Sequence, residues 1–177
     1  MPTESAVPSP VSEAVFVSET GRGRFQVEVR SSSGAFLVDE PVSAGGLGSG
    51  PNPYDLLSAA LGSCTAMTVR LYAARKNWPL TNVQVRVSHS RSTLTARDLF
   101  EKTISLKGSL DEAQRAKLLE IAERCPVHLT FNRGSDVKTV LAVADDTIAA
   151  PPLSSEHARG MEEAYASDQA GGTASSI

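Results

Sequence analysis

The sequence has little cysteine, few aromatic residues and no block of like charge. Two cysteines in 177 residues exclude a small domain held together by several disulfides. The formal net charge is −3 and basic residues are not clustered, which argues against a nucleic-acid-binding surface. No apolar run approaches the roughly 20 residues of a membrane helix, and residues 1–10 lack the features of a secretory signal. These absences predict a soluble, cytoplasmic protein with no membrane partner.

The length of the chain predicts one domain with its own core. Residues 1–12 and 148–177 are rich in small residues and proline, and they show no hydrophobic periodicity. We expect both segments to be disordered, because neither can bury enough apolar surface to offset the entropy of ordering. The folded domain is therefore predicted to cover residues 13–147.

The first part of this domain has the pattern of strands. Residues 14–17 and 35–38 are short apolar runs, and residues 25–30 alternate between apolar and polar side chains. Glycine-containing turns separate the three segments, and a glycine-rich loop follows at residues 44–50. We predict three strands here.

The clearest helix in the sequence begins after Asn52. Asn52 is a good N-cap, Pro53 suits the first helical position, and capping explains Asp55 in the first turn. One face carries apolar or small residues at spacings of three and four, namely Leu57, Ala60, Leu61, Cys64, Met67, Thr68 and Leu71. We expect the helix to end near Lys76, before Pro79.

Three more strands and a second helix are predicted in the rest of the domain. Residues 83–87 alternate, residues 98–107 would form their antiparallel partner, and residues 136–144 would form a last strand containing Val137, Val140 and Val143. Residues 111–123 have the pattern of an amphipathic helix, with Ala113, Leu118, Leu119, Ile121 and Ala122 facing inward. This order predicts an α+β domain with a largely antiparallel sheet.

The two cysteines have different local environments. Cys64 lies mid-helix on the apolar face, where it would need a cation from elsewhere to ionise. Cys125 precedes Pro126, which indicates a new helix with Cys125 at its cap; the helix dipole and Arg124 would then favour its thiolate. These residues make Cys125 the more acidic thiol, while an inert structural role stays open for each. The sequence does not decide whether they pair, because a disulfide requires Cα atoms within about 7 Å.

His128 and the glycine-rich loop have simple explanations. His128 could join the two cysteines in a partial metal site, but structural zinc usually needs four ligands and no fourth is evident. We therefore predict a hydrogen-bonded helical role for His128 and no metal. The loop of residues 44–50 lacks the Gly-Lys-Ser/Thr ending of a phosphate loop, and we expect no cofactor.

Two segments resemble the OsmC/Ohr family of osmotically inducible and organic hydroperoxide resistance proteins. Residues 51–67, PNPYDLLSAALGSCTAM, resemble the first-cysteine helix, and residues 122–128, AERCPVH, resemble the second-cysteine motif. The order of elements between them also fits, so the resemblance covers about residues 13–145. It implies an OsmC-like α+β fold with a long central cysteine-bearing helix, a second helix and a largely antiparallel sheet. It also implies an intertwined homodimer with active sites at the subunit interface.

The resemblance implies a thiol peroxidase. Cys64 would attack the O–O bond of an organic hydroperoxide or hydrogen peroxide, and Cys125 would condense with the resulting sulfenic acid to a disulfide. A dithiol reductant, often a lipoyl group in this family, would restore both thiols. This order conflicts with the greater acidity expected of Cys125, unless a dimer places an arginine beside Cys64.

The resemblance also implies supporting residues. The organic-hydroperoxide branch uses an arginine from the N-terminal strand and turn region, where Arg22 and Arg24 lie in this sequence; Arg22, at the turn, is favoured. The glutamate of that branch, in the first turn of the cysteine helix, is replaced by Tyr54, so Asp55 or another carboxylate would have to substitute. Two alternatives therefore stay open: a non-catalytic thiol protein that binds an apolar or electrophilic small molecule at the dimer cleft, and a metal-binding or structural dimer.

Overall fold

The computed structural model of the chain describes residues 14–141, 160–163, 165 and 166. The described residues form two compact units, one built on residues 14–52 and one on residues 53–138. Antiparallel strands occur in both units, and a long helix occurs in the second. The predicted α+β class is confirmed, whereas the single domain over residues 13–147 stays a prediction.

The first unit is a three-stranded antiparallel sheet. Its strands are paired in the order β1 (Phe16–Glu19), β2 (Val27–Ser31) and β3 (Gly34–Val38). After β3, the buried carboxylate of Asp39 accepts the backbone N–H of Leu47 at 3.0 Å and the hydroxyl of Ser49 at 2.8 Å, which anchors the glycine-rich loop. The three predicted strands are confirmed, with their ends moved because hairpin pairing decides where each strand begins.

Helix α1 (Pro53–Arg75) is the central element of the second unit, as predicted. Its buried residues are Leu61, Cys64, Thr65, Thr68, Val69, Tyr72 and Ala73. The helix ends because Asn77 adopts a left-handed backbone with φ 54°, which lets the N–H of Trp78 return to the carbonyl of Ala73 at 2.9 Å. Pro79 then leads the chain into the next strand.

A long antiparallel hairpin packs against α1. Strands β4 (Leu80–Ser90) and β5 (Leu99–Gly108) confirm the predicted pair. At the end of β5, Gly108 has φ 141°, and a Cβ there would lie 2.0 Å from the carbonyl oxygen of Pro79. Glycine is therefore required where the two ends of the hairpin meet.

Two helices complete the second unit. Helix α2 (Glu112–Ala122) begins with a capping box in which Asp111 and Gln114 bond to each other's backbone N–H. Helix α3 (Pro126–Arg133) follows after a short connection that contains Cys125. The main core of this unit joins α1, α2 and the hairpin through Val69, Tyr72, Ala73, Leu80, Leu110, Leu118, Ile121 and Ala122.

The core prediction was wrong for five residues that are exposed: Leu57, Ala60, Met67, Ala113 and Leu119. Periodicity locates the apolar stripe of a helix, but the width of the facing surface decides how much of the stripe is covered. On α1, for example, Met67 is 53% exposed although its neighbour Thr68 is buried. On α2, Leu119 is 49% exposed beside the fully buried Leu118.

In the described part of the predicted last strand, residues 136–141, no strand is formed. Residues 136–141 have no regular structure, and Val137 and Val140 are 88% and 89% exposed. A strand exists only through pairing with a neighbour, and a set of valines by itself does not supply one. Val143 and the rest of that segment lie outside the described residues.

Most of the predicted tails also lies outside the described residues, including all of residues 1–12. Residues 160–163, 165 and 166 are helical, although the tail pattern did not indicate a helix. The ring of Tyr165 packs edge-on against Tyr72 with centroids 5.9 Å apart, and the guanidinium of Arg75 lies 4.2 Å above the same ring. These contacts pack the described helical residues against α1.

Helix α1 satisfies the length and composition criteria of a membrane span, with a mean hydropathy of 1.2 in its apolar window. This differs from the expectation that no segment of the sequence would do so. The helix packs on β4, α2 and α3 within the same unit, and core helices satisfy the same criteria. This packing buries 39% of that window.

Candidate thiol site

Two free cysteines share one buried cluster in the second unit. Cys64, on α1, is 1% exposed, and Cys125, between α2 and α3, is fully buried. They pack together with Leu61, and the cluster is bordered by Val87, Phe100, Val127 and Phe131. The fold therefore brings together two sulfurs that are remote in the sequence.

Cys125 is the N-cap of α3, as the sequence predicts. Pro126 occupies the first helical position, and the Sγ atom of Cys125 accepts the backbone N–H of His128 at 3.4 Å. The hydroxyl of Thr65, on α1, lies 3.4 Å from the same sulfur. Cys125 thus receives the environment that favours a thiolate at the start of a helix.

Cys64 also contacts the first turn of α3. Its Sγ atom accepts the backbone N–H of Val127 at 3.4 Å. Consecutive backbone amides of α3, those of Val127 and His128, therefore each approach a different sulfur. The start of α3, which Cys125 caps, therefore also contacts Cys64, although Cys64 belongs to another helix.

A hydrogen bond between the two thiols separates their pKa values. It raises the pKa of Cys64 far above the usual range, and burial acts in the same direction. The same hydrogen bond lowers the pKa of Cys125; burial opposes this, while Thr65 and the N–H of His128 support it. The two shifts make Cys125 the more acidic thiol of the pair, in agreement with the greater acidity expected of Cys125.

Lys102 is a buried cation beside this site that sequence reasoning missed. Its side chain is 8% exposed, and Nζ lies 3.0 Å from the carbonyl oxygen of Ala122, 2.9 Å from Nδ1 of His128 and 3.3 Å from a carboxylate oxygen of Glu123. A signal for it exists in the sequence. Lys102 occupies the inward-facing row of β5 together with Phe100, Ile104 and Leu106, where a lysine is unexpected.

Arg124, by contrast, does not have the role expected of it. It was predicted to favour the Cys125 thiolate by adjacency in the chain, but its guanidinium pairs with Glu120 one turn earlier on α2. The Arg124 side chain is 37% exposed, so solvent screens its charge. Adjacency in sequence is therefore a poor guide to which cation lies near the sulfur.

His128 is hydrogen-bonded through both ring nitrogens. Lysine can only donate, so Nδ1 accepts from Lys102, and the second ring nitrogen is Nε2. That nitrogen lies 2.8 Å from the side-chain amide of Asn132 and 3.3 Å from Glu123. Within the part of the chain that the structure describes, no three His, Cys, Asp or Glu residues are grouped as a metal site.

A cavity of about 680 Å³ adjoins the thiol cluster. Leu61, Phe100 and Phe131, which belong to or border the cluster, are also part of the cavity wall. Lys102 and His128 contribute polar groups to it. Its size and its mixture of apolar walls with a few polar groups are those of a small-molecule site.

Tyr54 and Asp55 lie in the first turn of α1. The hydroxyl of Tyr54 accepts from Arg91 at 3.2 Å, and its ring stacks on His89 with centroids 4.3 Å apart. His89 in turn lies 2.7 Å from a carboxylate oxygen of Asp98. At the position of the family's glutamate, the chain therefore presents a phenol that contacts an arginine from the end of β4.

Arg22 and Arg24 lie in the connection between β1 and β2, within the first unit, and both are exposed. The backbone N–H of Arg22 donates to the hydroxyl of Thr20 at 3.2 Å, and the guanidinium of Arg24 lies 5.7 Å from the ring centroid of Phe25. These local contacts fix the turn. The expected action of either arginine on Cys64 stays a prediction.

Comparison with known proteins gives a family match and several structural matches. Residues 46–140 match the family model OsmC, described as OsmC-like protein. Similar solved structures include an osmotic stress induced and detoxification response protein, so described, of Psychrobacter arcticus 273-4 (TM-score 0.60, 20% identity, covering 70% of this chain and 91% of that one). An OsmC-like protein of Mycoplasma pneumoniae matches with TM-score 0.57 and 19% identity over 71% of this chain and 89% of that one.

A third structural match is the organic hydroperoxide resistance protein OsmC of Legionella pneumophila, with TM-score 0.50 and 21% identity over 69% of this chain and 90% of that one. A comparison with curated protein sequences finds no match. At these identities the structural matches establish the fold. The chemistry has to be argued from the residues of the site.

Proposed function

Since this chain belongs to the OsmC family, we propose that it reduces hydroperoxides with the thiol pair Cys64 and Cys125. Family membership supports a redox-related function, and the pair supplies the chemistry. One observation carries the proposal: two free thiols from distant parts of the chain share a buried cluster, and consecutive backbone amides at the start of α3 bond to the two sulfurs. A structural cysteine needs no such partner.

In the first step, Cys64 attacks the outer oxygen of the hydroperoxide. The lowered pKa of Cys125 makes it the thiolate of the pair, and in this step it accepts the proton of Cys64 during the attack. The O–O bond breaks, Cys64 becomes a sulfenic acid, and the leaving alkoxide takes a proton from solvent to become an alcohol, while Cys125 keeps the proton received from Cys64. This order reconciles an attacking Cys64 with a more acidic Cys125.

In the second step, Cys125 displaces the hydroxyl of the sulfenic acid. A Cys64–Cys125 disulfide forms and water leaves, so the hydroperoxide has been reduced to an alcohol and water while two thiols have been oxidised. A dithiol reductant, for which a lipoylated protein is the candidate, then reduces the disulfide by thiol–disulfide exchange. The contact between the two residues in the cluster favours this closure.

Further parts of the proposal come from family membership. The chain acts as a homodimer in the cytoplasm, and Arg22, with Arg24 as the alternative, acts on Cys64 or the peroxide. Tyr54 replaces the glutamate that orders this arginine in the organic-hydroperoxide branch, with Asp55 as a possible substitute. The substrate range therefore has to be measured with both organic hydroperoxides and hydrogen peroxide.

The test counts free thiols after the reduced protein is mixed with cumene hydroperoxide. We expect rapid, stoichiometric loss of two thiols in the wild type. The matched variants are Cys64→Ser, in which the loss should disappear, and Cys125→Ser, in which one thiol should be lost more slowly because the base is absent, and a sulfenic acid should be trapped by dimedone at Cys64. Thiol loss as slow as that of free cysteine in solution would contradict the proposal.

A ligand-binding function is the second candidate, and the cavity beside the cluster favours it. In that case a small apolar or electrophilic molecule would occupy the cavity and the thiols would not turn over. Slow peroxide reaction together with saturable binding of such a molecule would select this function. One equivalent of zinc in the purified protein would select the metal-binding alternative.

A further inference from the structure

Lys102 connects the two helices on either side of Cys125. From β5 its ammonium donates to the carbonyl of Ala122, the last residue of α2, and to the ring of His128, in the first turn of α3. The backbone N–H of His128 donates to the sulfur of Cys125. A single buried side chain therefore holds the residues that flank this cysteine.

The surroundings of Lys102 leave its charge poorly compensated by protein carboxylates. A lysine has three N–H donors, and the three acceptors are the Ala122 carbonyl, His128 Nδ1 and Glu123. Two of these acceptors are neutral. The third, the carboxylate of Glu123, is on a side chain that is 61% exposed, so solvent weakens its attraction for an ammonium that is 8% exposed.

A buried ammonium is stable only when an opposite charge accompanies it. Four titratable groups from different elements surround Cys125: Cys64 on α1, Lys102 on β5, Glu123 after α2 and His128 on α3. Of these four groups, Lys102 is the cation whose side chain is buried, so it is the group whose charge can be opposite to that of a buried Cys125 thiolate.

We infer that Lys102 is the counter-ion of the Cys125 thiolate and a positioning residue of the peroxide reaction, because its charge keeps Cys125 ionised to serve as the base for Cys64. This inference rests on the proposed function for the role of Cys125. The charge of Lys102 acts on the Cys125 pKa in the required, lowering direction. Cys125 lies at the start of α3, and Lys102 reaches it from β5.

The test is a thiolate titration in a Cys64→Ser background, where Cys125 is the one remaining thiol. Thiolate ultraviolet absorbance is followed against pH in proteins that carry Lys102, Lys102→Gln, Lys102→Met or Lys102→Arg. We expect the Gln and Met variants to have a Cys125 pKa about one unit higher, so that the thiolate is about tenfold less populated at a pH below both midpoints. The Arg variant retains the charge and should titrate close to the parent.

Lys107 provides the matched control, because it lies on β5 but is exposed. Lys107→Gln should leave the titration unchanged. Lys102→Gln keeps an N–H donor for the Ala122 carbonyl, so the comparison of Gln with Arg decides the matter even if Lys102→Met does not fold. A Gln variant that titrates like the parent, or an Arg variant that titrates like the Gln variant, overturns the inference.

The titration uses no peroxide, which separates the two proposals. If the wild type fails to consume hydroperoxide while the Gln variant shows the raised pKa, the counter-ion role stands and the proposed reaction fails. If thiol loss with hydroperoxide is rapid but the Gln variant titrates normally, the reaction stands and Lys102 is excluded as its counter-ion.

Discussion

At the scale of single residues, the hydroxyl of Thr65 lies between the backbone of α1 and the sulfur of Cys125. The Thr65 hydroxyl lies 2.8 Å from the carbonyl of Leu61 and 3.4 Å from the sulfur of Cys125. It has a single proton, so it cannot donate to both. Donation to Leu61 suits a neutral Cys125, whose S–H then points to the hydroxyl oxygen, and donation to sulfur suits the thiolate.

We predict that Thr65→Val raises the pKa of Cys125, because the thiolate loses a hydrogen-bond donor worth about 1.5–3 kcal/mol. In the wild type the lowered pKa keeps a thiolate as the pH falls below the usual cysteine value of about 8.5. In the variant the thiolate should disappear at a higher pH. The measurement is the rate of reaction with a thiol reagent between acidic and neutral pH.

Two further variants control this prediction. Thr65→Ser keeps the hydroxyl and should retain the wild-type pH profile. Thr130→Val removes an exposed hydroxyl on α3, which donates to the carbonyl of Pro126, and should have no effect. A Thr65→Val profile identical to that of the wild type would refute the link between this hydroxyl and the sulfur.

At the scale of elements, the burial of each helix face decides how much its side chains contribute to the free energy of unfolding. Leu118 and Leu119 are consecutive on α2, and the sequence pattern predicts both to face inward. Leu118 is fully buried, whereas Leu119 is 49% exposed. The helix itself is unaffected by exchanging either for alanine, which has the higher helix propensity.

We predict that Leu118→Ala lowers the free energy of unfolding by about 2–5 kcal/mol, because it removes a side chain from the core and leaves a cavity. Leu119→Ala is the matched control and should change this free energy by about 0.5 kcal/mol. Urea unfolding of the two variants, followed by circular dichroism, measures the difference. Equal losses would mean that the two positions are buried alike.

At the scale of the whole molecule, exposed apolar side chains on the helices suggest a surface for a second copy. Leu57 and Met67 on α1 and Leu129 on α3 are each at least 40% exposed in the single chain. Burying them would contribute about 25 cal/mol for each Å² of apolar surface removed from water. The homodimer implied by the family would use this contribution.

We predict a solution mass of twice the 18.6 kDa of one chain, measured by light scattering after size-exclusion chromatography. Met67→Glu should weaken the dimer, because a buried unpaired carboxylate is unfavourable. Leu94→Glu makes a comparable change in the connection between β4 and β5, at a residue that is 89% exposed, and should leave the mass unchanged. A monomeric wild type at micromolar concentration would rule the dimer out.

Local sequence patterns predicted most of the helices and strands, but they did not predict which other elements each face contacts. The caps and periodicities of α1 and α2, and the alternation of β4 and β5, were sufficient to place these elements. The apolar residues Val137 and Val140 were not sufficient to place a strand, since both are largely exposed in irregular chain. A helix satisfies its own hydrogen bonds, whereas a strand depends on a partner elsewhere in the sequence.

The sequence by itself determined the α+β class, the position of Cys64 on a long helix and the place of Cys125 at the cap of another, because these depend on nearest neighbours along the chain. Only the tertiary structure decided that the two sulfurs meet and that Lys102 is buried beside them. The physical reason is that charge and hydrogen bonding act through short distances in space, and no local pattern encodes which distant residues share a desolvated cluster.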